Sequence, residues 1–400
     1  MKTEQKYLKK WGLVIFVAIL GMAPPLSTDM YMPAFPAMAE DFSTSSLMIN
    51  MTMVVFFVFM AVGMLIFGPL SDKYGRRLPL IAGLLMYAAG SIGCSLSSSI
   101  VIMILLRCIQ SLGAGAMVSL SVAIIKDSFD GKMRDNAIAI VQSLSVIAPI
   151  MSPVIGALLI KTASWRAVFV LLSVISLACV VIGLFYQESL PEEERNQGGL
   201  PESLGKMAVV GRNINFTPFL IMASVFAAPF MSYLAVASYT YQEFFGLSSG
   251  MFALFFAINA AFSVLGPMIF IGVNGRISGK TIMAGLLAVG FVFSVLEYSL
   301  GEHSPVVFLC CFIPYGVVNS FMRPFATAVL LEQQEGDTGA ASALLNFCYT
   351  LFSAVGMLAG SLNWSSYIHG LGGIIFVFTF LSLIMWIFIL KSKKIRMKHL

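Results

Sequence analysis

Long runs of apolar residues, separated by short polar segments, recur along the whole of this 400-residue chain. A run of about 20 apolar residues is the length that crosses the hydrocarbon core of a bilayer as a helix. Twelve such runs are present, and each is predicted to be a membrane-spanning helix. Their predicted limits are 11–36, 47–70, 79–97, 100–125, 137–160, 165–186, 217–241, 250–272, 280–299, 305–330, 339–362 and 367–390. The predicted fold class is an all-α polytopic membrane protein.

The polar interruption at residues 187–216 is much longer than the others and divides the spans into six and six. Its charged, Gly-containing sequence predicts a solvated cytoplasmic linker between an N-terminal bundle, residues 1–186, and a C-terminal bundle, residues 217–400. Gly68-Pro69 near the end of span two recurs as Gly266-Pro267 near the end of span eight. This echo favours two pseudo-symmetric six-helix bundles.

Composition agrees with this assignment, because 58% of the residues are hydrophobic and only 11% are charged. The net charge of +5 could indicate a nucleic-acid partner, but in a membrane protein the placement of Lys and Arg records topology first. With the N-terminus inside, the loops on the outer face hold only Lys161 and Arg166. Arg107 and Arg323 lie within spans, and the other Lys and Arg residues are cytoplasmic. Both termini are therefore predicted to be cytoplasmic, with no nucleic-acid partner.

Asp29 places a carboxylate within the first apolar span. A charge in hydrocarbon is costly unless it faces protein or a wet cavity, so an intramembrane Asp is a functional hypothesis that needs a partner. Arg107 in span four lies at about 12 Å from the outer surface and Asp29 at about 15 Å, at 1.5 Å per helical residue. We expect these two residues to pair and to exchange a proton as a cavity opens; the alternative is a permanent structural ion pair. Glu243 and Glu297 lie near external span ends and are weaker candidates.

Two further segments carry residue patterns that are uncommon by chance. The turn between spans two and three contains Gly68, Asp72, Gly75, Arg76 and Arg77. In this turn Gly75 allows the backbone to reverse, Asp72 is placed to cap the next turn, and the arginines can reach carboxylates or helix C-termini. Span five contains Pro149, Pro153 and Gly156, a pattern of bends and small residues that generic helix packing would also explain.

The loop pattern, with twelve spans and cytoplasmic termini, resembles the major facilitator superfamily. Arg107 and Gln110 resemble its fourth-span motif, which is associated with proton transfer. Pro149, Pro153 and Gly156 resemble its antiporter motif, although Ala148 stands where that motif usually has Gly. The resemblance therefore implies export, with the loop of Gly68 to Arg77 acting in cytoplasmic gating.

Four segments resemble the bicyclomycin and chloramphenicol resistance (Bcr/CflA) type of drug:proton antiporter, namely 28–36, 238–248, 254–260 and 338–344. The resemblance implies proton-coupled efflux of lipophilic or cationic small molecules by alternating access across the bacterial inner membrane. The expected substrate cavity lies between the halves, beside Asp29 and Arg107. Its other predicted lining residues are Tyr31, Gln110, Tyr233, Tyr239, Tyr241, Asn259, Asn319 and Asn346.

Span ten departs from that subfamily, because Met322-Arg323-Pro324 stands where a Pro-Asn pair is usual. Arg323 is about 27 Å from the external start of its span, so a long cation there can snorkel to the cytoplasmic surface. The alternative is a role in cavity electrostatics or in the inner gate.

No nucleotide-binding loop, metal-ligand cluster or nucleophile constellation is recognisable in the sequence. We therefore expect no enzymatic activity, no cofactor and no ATP drive, with protons as the coupling ion and a monomeric chain in the lipid bilayer. Rival interpretations are a dedicated metabolite, amino-acid or siderophore exporter, a proton symporter, and a non-transporting receptor or scaffold.

Overall fold

The computed structural model describes residues 5–195, 198–334, 338–392 and 394–395. Within these ranges it contains twelve helical spans long and apolar enough to cross a membrane. The first six are α1 Lys9–Asp41, α2 Ser46–Tyr74, α3 Arg77–Leu96, α4 Ile100–Ser128, α5 Gly131–Thr162 and α6 Arg166–Phe185. The second six are α7 Thr217–Phe244, α8 Ser249–Val273, α9 Gly279–His303, α10 Pro305–Glu332, α11 Thr338–Gly360 and α12 Tyr367–Lys391. The predicted number of spans and the all-α fold class are confirmed.

The chain forms two compact units, Met1–Leu204 and Gly205–Leu400, and the boundary in sequence between them falls within the predicted linker. That linker is more structured than its composition indicated, because Gly199–Gly211 forms an α-helix. The prediction of a linker did not include this helix. Leu200 and Met207 are half-buried and Val210 is buried, at helical spacing along one side, whereas Leu204 and Val209 are exposed.

Each unit repeats the same set of neighbours. In the first unit α2 packs on α4, α3 packs on α4 and α6, and α1 packs on α5. In the second unit α8 packs on α10, α9 packs on α10 and α12, and α7 packs on α11. The faint echo of Gly68-Pro69 in Gly266-Pro267 therefore marks a repeat of helix packing within each unit.

Span α1 is broken where its prolines occur. It consists of α-helices Lys9–Gly21, Ala23–Asp29 and Phe35–Asp41, with a 3₁₀ turn at Met32–Ala34 between the last two. Proline lacks a backbone donor and is tolerated in the first turn of a helix, so each new helical segment begins with its prolines in the first turn. The break falls directly after Asp29, which leaves irregular backbone next to that carboxylate.

Span α5 lies against this break. A Cβ on Gly156 would overlap the carbonyl oxygen of Met30, so only glycine lets the two backbones approach this closely. The second unit has the same contact, because a Cβ on Gly356 of α11 would overlap the carbonyl of Ala228 in α7. Pro149 and Pro153 both lie inside a continuous α5 helix. The glycine of the antiporter-like motif thus sets the distance between α5 and the stretch that carries Asp29.

Candidate transport site

Asp29 is buried at the end of the helix Ala23–Asp29, with 5% of its surface exposed. Its side chain accepts one hydrogen bond, from the Thr28 hydroxyl to Oδ1 at 2.7 Å. That hydroxyl also lies 3.0 Å from the carbonyl oxygen of Pro24, one turn earlier in the same helix. Asp29 is therefore a buried carboxyl group with a single neutral partner among the described residues.

Arg107 is fully buried in α4 and is held by neutral groups. Its guanidinium donates to the backbone carbonyl of Thr52 at 3.2 Å, to Oε1 of Gln110 at 2.7 Å and to the Tyr31 hydroxyl at 3.3 Å. Three aromatic rings surround the same group, with the guanidinium carbon 4.4, 4.9 and 5.7 Å from the centroids of Phe56, Tyr31 and Phe169. Cation–π attraction is strengthened when the cation is desolvated, so this cage stabilises the charge without a carboxylate.

The predicted ion pair between Asp29 and Arg107 is wrong, because the structure places no salt bridge between these two described residues. Helical neighbours two positions apart do not share a face. Tyr31, two residues after Asp29, is the α1 side chain that reaches Arg107, and Asp29 is consequently directed elsewhere. The prediction of similar depth for the two charges therefore did not identify the partner of either one.

A chain of hydrogen bonds extends from Arg107 across α3. Gln110 donates from Nε2 to the Ser91 hydroxyl at 2.7 Å, and Ser91 in turn donates to the carbonyl of Tyr87 at 2.7 Å. The Tyr87 hydroxyl is hydrogen-bonded to Ser27, two residues before Asp29. Thr52 contacts both partners of this region, because its carbonyl accepts from Arg107 and its hydroxyl is hydrogen-bonded to the Tyr31 hydroxyl at 2.7 Å.

Sequence analysis placed Tyr31 and Gln110 in the site and missed Thr52, Tyr87 and Ser91. Hydroxyl side chains within apolar spans are the signal that could have identified these residues, because each needs a buried hydrogen-bond partner.

The turn between α2 and α3 is organised by an acidic residue that follows α6. Gly75 has φ of +89°, a conformation that L side chains rarely adopt, and it presents the next two backbone N–H groups to one side. Glu188 accepts both of them, from Arg76 at 2.9 Å and from Arg77 at 3.0 Å. The Arg77 side chain also donates to the carbonyl of Leu184 near the end of α6. This contact agrees with the prediction that the arginines of the turn can reach a helix C-terminus.

Arg76 joins three elements through charge. Its side chain donates from Nε to Asp127 at 2.7 Å, to the Ser71 hydroxyl at 2.7 Å and to Asp72, one turn earlier. Burial lowers the pKa of Arg76, but the hydrogen bond and charge of Asp127, with those of Asp72, outweigh burial and raise it. The predicted cap by Asp72 is wrong, because Asp72 lies inside α2 and pairs with Arg76 instead. Gly68 lies in the same helix one turn before Asp72, with its carbonyl accepting from Ser71.

The predicted tyrosines of the second unit belong to an aromatic cluster. Tyr233 is fully buried and stacks on Phe312, with ring centroids 3.9 Å apart and an interplanar angle of 11°. Tyr241, in the π-helical end of α7, lies 5.2 Å from Phe308. Tyr239 packs against Tyr367 at 5.8 Å. The three tyrosine rings are therefore buried and packed against other aromatic rings.

The predicted asparagines are distributed over three spans of the second unit. Asn346 in α11 accepts a hydrogen bond from the exposed guanidinium of Arg323 in α10 at 3.2 Å. Asn319 lies one turn before Arg323, and its buried Oδ1 has no hydrogen-bond partner among the described residues. Asn259 in α8 is likewise buried with an unsatisfied Oδ1, facing Gly316. Arg323 is thus hydrogen-bonded to a predicted site residue while its side chain stays exposed.

Glu297 in α9 is the residue whose importance the sequence most understated. It is fully buried, whereas its position near a span end had indicated a weak candidate.

A groove of about 580 Å³ lies between the start of α7 and the C-terminal part of α12, and none of the predicted site residues lines it.

Comparisons with known proteins agree with this architecture. Residues 17–357 match the sequence profile of the Major Facilitator Superfamily. The chain is 28% identical to an MFS-type transporter, YdgK of Bacillus subtilis, over 87% of this chain and 88% of that protein. It is 25% identical to a bicyclomycin resistance protein homolog of Haemophilus influenzae, over the same shares of the two chains. The solved structure of a D-xylose-proton symporter superposes with a TM-score of 0.76 at 14% identity, covering 98% of this chain and 99% of that one.

The relatives confirm the resemblance to the bicyclomycin resistance type, and the solved structure confirms the fold. The profile covers most of the chain, from α1 to α11. This chain belongs to the Major Facilitator Superfamily.

Proposed function

We propose that the protein exports lipophilic or cationic small molecules in exchange for protons, and that Asp29 carries the exchanged proton. Membership of a transporter family confirms that the chain is a multi-pass membrane protein and not an enzyme. Export of drug-like compounds is supported by the bicyclomycin resistance homolog among its relatives. The proposal also places the protein as a monomer in the bacterial inner membrane with both termini inside.

The observation that carries the proposal is the environment of Asp29. An ionised carboxylate inside a membrane protein is strongly disfavoured unless charge or water compensates it. Among the described residues, Asp29 has only the Thr28 hydroxyl as a hydrogen-bond partner. The group is therefore stable as the neutral acid while buried and as the anion once water or a cationic substrate reaches it. Broken backbone follows Asp29 in α1, and such backbone is tolerated in membranes only beside protein or a water-filled cavity.

Arg107 has a different part in this proposal from the one its motif implied. Because its charge is compensated by aromatic rings, carbonyl and amide groups, Arg107 does not fix the ionisation of Asp29 directly. It positions Tyr31, and through Tyr31 the irregular segment that follows Asp29. We propose that the predicted aromatic and amide residues contact the substrate, with rings offering apolar area and cation–π contacts.

The test is Asp29→Asn, which preserves shape and removes the titratable group. Purified protein is mixed with a panel that includes tetraphenylphosphonium, ethidium and chloramphenicol, and proton release is followed with a pH-sensitive dye in weak buffer. We expect the wild type to release protons with at least one compound and the Asn variant to lose Asp29's share. Vesicle assays should show loss of gradient-driven efflux in the variant. Undiminished proton-coupled efflux by Asp29→Asn would exclude this role.

A further inference from the structure

Glu297 is a buried carboxyl group that the proposed function does not use. None of its surface is exposed, and neither Oε1 nor Oε2 has a hydrogen-bond partner among the described residues. Buried carboxylates in proteins are normally paired with a cation or with several donors, because the charged form is otherwise heavily disfavoured. An acid without such partners needs a different explanation.

The groups around Glu297 offer no positive charge. From α7, Tyr233 and Tyr241 interact electrostatically with it, and from α10 Cys311 does so. Beyond its own helix end lies a separate pair, in which His369 of α12 contacts Glu302 at 3.6 Å. Within the described part of the chain no Lys or Arg compensates Glu297. Its carboxyl group therefore carries a proton in this conformation.

The surrounding packing ties that proton to the state of an aromatic cluster, formed by Tyr233, Tyr241, Phe255, Phe256, Phe308 and Phe312. Glu297 can ionise only when water or a cation reaches it, and an opening of the cluster beside it would give either one a route. Loss of the proton and opening of the cluster are consequently linked events, in the sense that each favours the other. An intramembrane acid of this kind is by default a functional residue.

We propose that Glu297 is a second proton-binding site of this protein, located in the C-terminal unit, which gives up its proton as the aromatic cluster opens during the transport cycle. The inference rests on the proposed exchange of protons for substrate and adds a carrier to it. Glu297 acts on a different unit from Asp29, so each residue accounts for its own share of the protons released.

The test compares wild type, Glu297→Gln, Asp29→Asn and the double variant. Gln is nearly isosteric with the protonated acid, so the variant should fold, which gel filtration and thermal unfolding would verify. Glu302→Gln is the matched control, because Glu302 lies on the same span but is partly exposed and paired with His369. Two readouts are used: the infrared C=O band of protonated carboxyl groups, and proton release on addition of the compound active with the wild type.

We expect Glu297→Gln to lose part of the protonated-carboxyl band and to halve the number of protons released per bound compound. Glu302→Gln should match the wild type in both, and the double variant should release none. A band unchanged in Glu297→Gln would refute the proposal, because the residue would then carry no proton. A lost band with an unchanged proton count would also refute it, since the acid would be a permanently neutral packing group. Absence of proton release from the wild type would instead overturn the proposed exchange itself.

Discussion

Replacement of Arg107 by Lys is the sharpest test of the way in which the first unit holds its buried charge. Lys keeps the positive charge but lacks the planar guanidinium of Arg. Lys and Arg are therefore not equivalent where one side chain must contact several acceptors and aromatic rings at once. The guanidinium serves three acceptors, on Thr52, Gln110 and Tyr31. If Lys retains one, two charge-assisted hydrogen bonds are lost at about 1.5 kcal/mol each, giving about 3 kcal/mol before any loss of ring contacts.

For a unit of roughly 200 residues, 1 kcal/mol corresponds to about 2–4 °C, so the expected fall in the unfolding temperature is about 6–12 °C. The assay is thermal unfolding in detergent, with Asp29→Asn measured alongside. Since Asp29 and Arg107 share no hydrogen-bond partner, the two free-energy changes should add within about 0.5 kcal/mol in the double variant. A coupling energy well above that value, or an Arg107→Lys variant as stable as the wild type, would refute the caged-cation interpretation.

Two smaller predictions concern helix packing and the turn after α2. Gly156→Ala should destabilise the protein by about 1–3 kcal/mol and reduce transport, because its Cβ would overlap the Met30 carbonyl, whereas Gly285→Ala, with open space around it, should not destabilise. Thermal unfolding and vesicle efflux would check both, and equal behaviour of the two variants would contradict the close-approach argument. Glu188→Gln should cost about 1–3 kcal/mol, because one amide oxygen replaces two carboxylate oxygens that accept backbone N–H groups. The exposed Glu193→Gln is its control, and a loss of stability equal in both variants would show that the amide contacts are unimportant.

The hydrophobic pattern determined the twelve spans, because crossing a bilayer demands a length of apolar helix that few other structures need. The same physics identified Asp29 and Arg107 as candidates, since a charged side chain within a membrane span carries a large free-energy cost. Gly75 was also predictable, because a reversing backbone with positive φ leaves glycine as the favoured residue. These properties depend on each residue and its local environment.

Which groups contact each buried charged residue depended on the tertiary structure. Depth along a helix can be counted from sequence, but the direction of a side chain around the helix axis depends on how the span breaks and packs. Asp29 and Arg107 were predicted to lie at similar depth and do not pair, because Tyr31 is the α1 side chain that reaches Arg107. Glu297 shows the converse, since its position near a span end made it a weaker candidate, whereas in the structure, where α9 packs on α10 and α12, it is fully buried. The sequence thus determined which charged residues lie within the spans at a cost in free energy. The packing of the spans decided which neighbouring groups stabilise each charge.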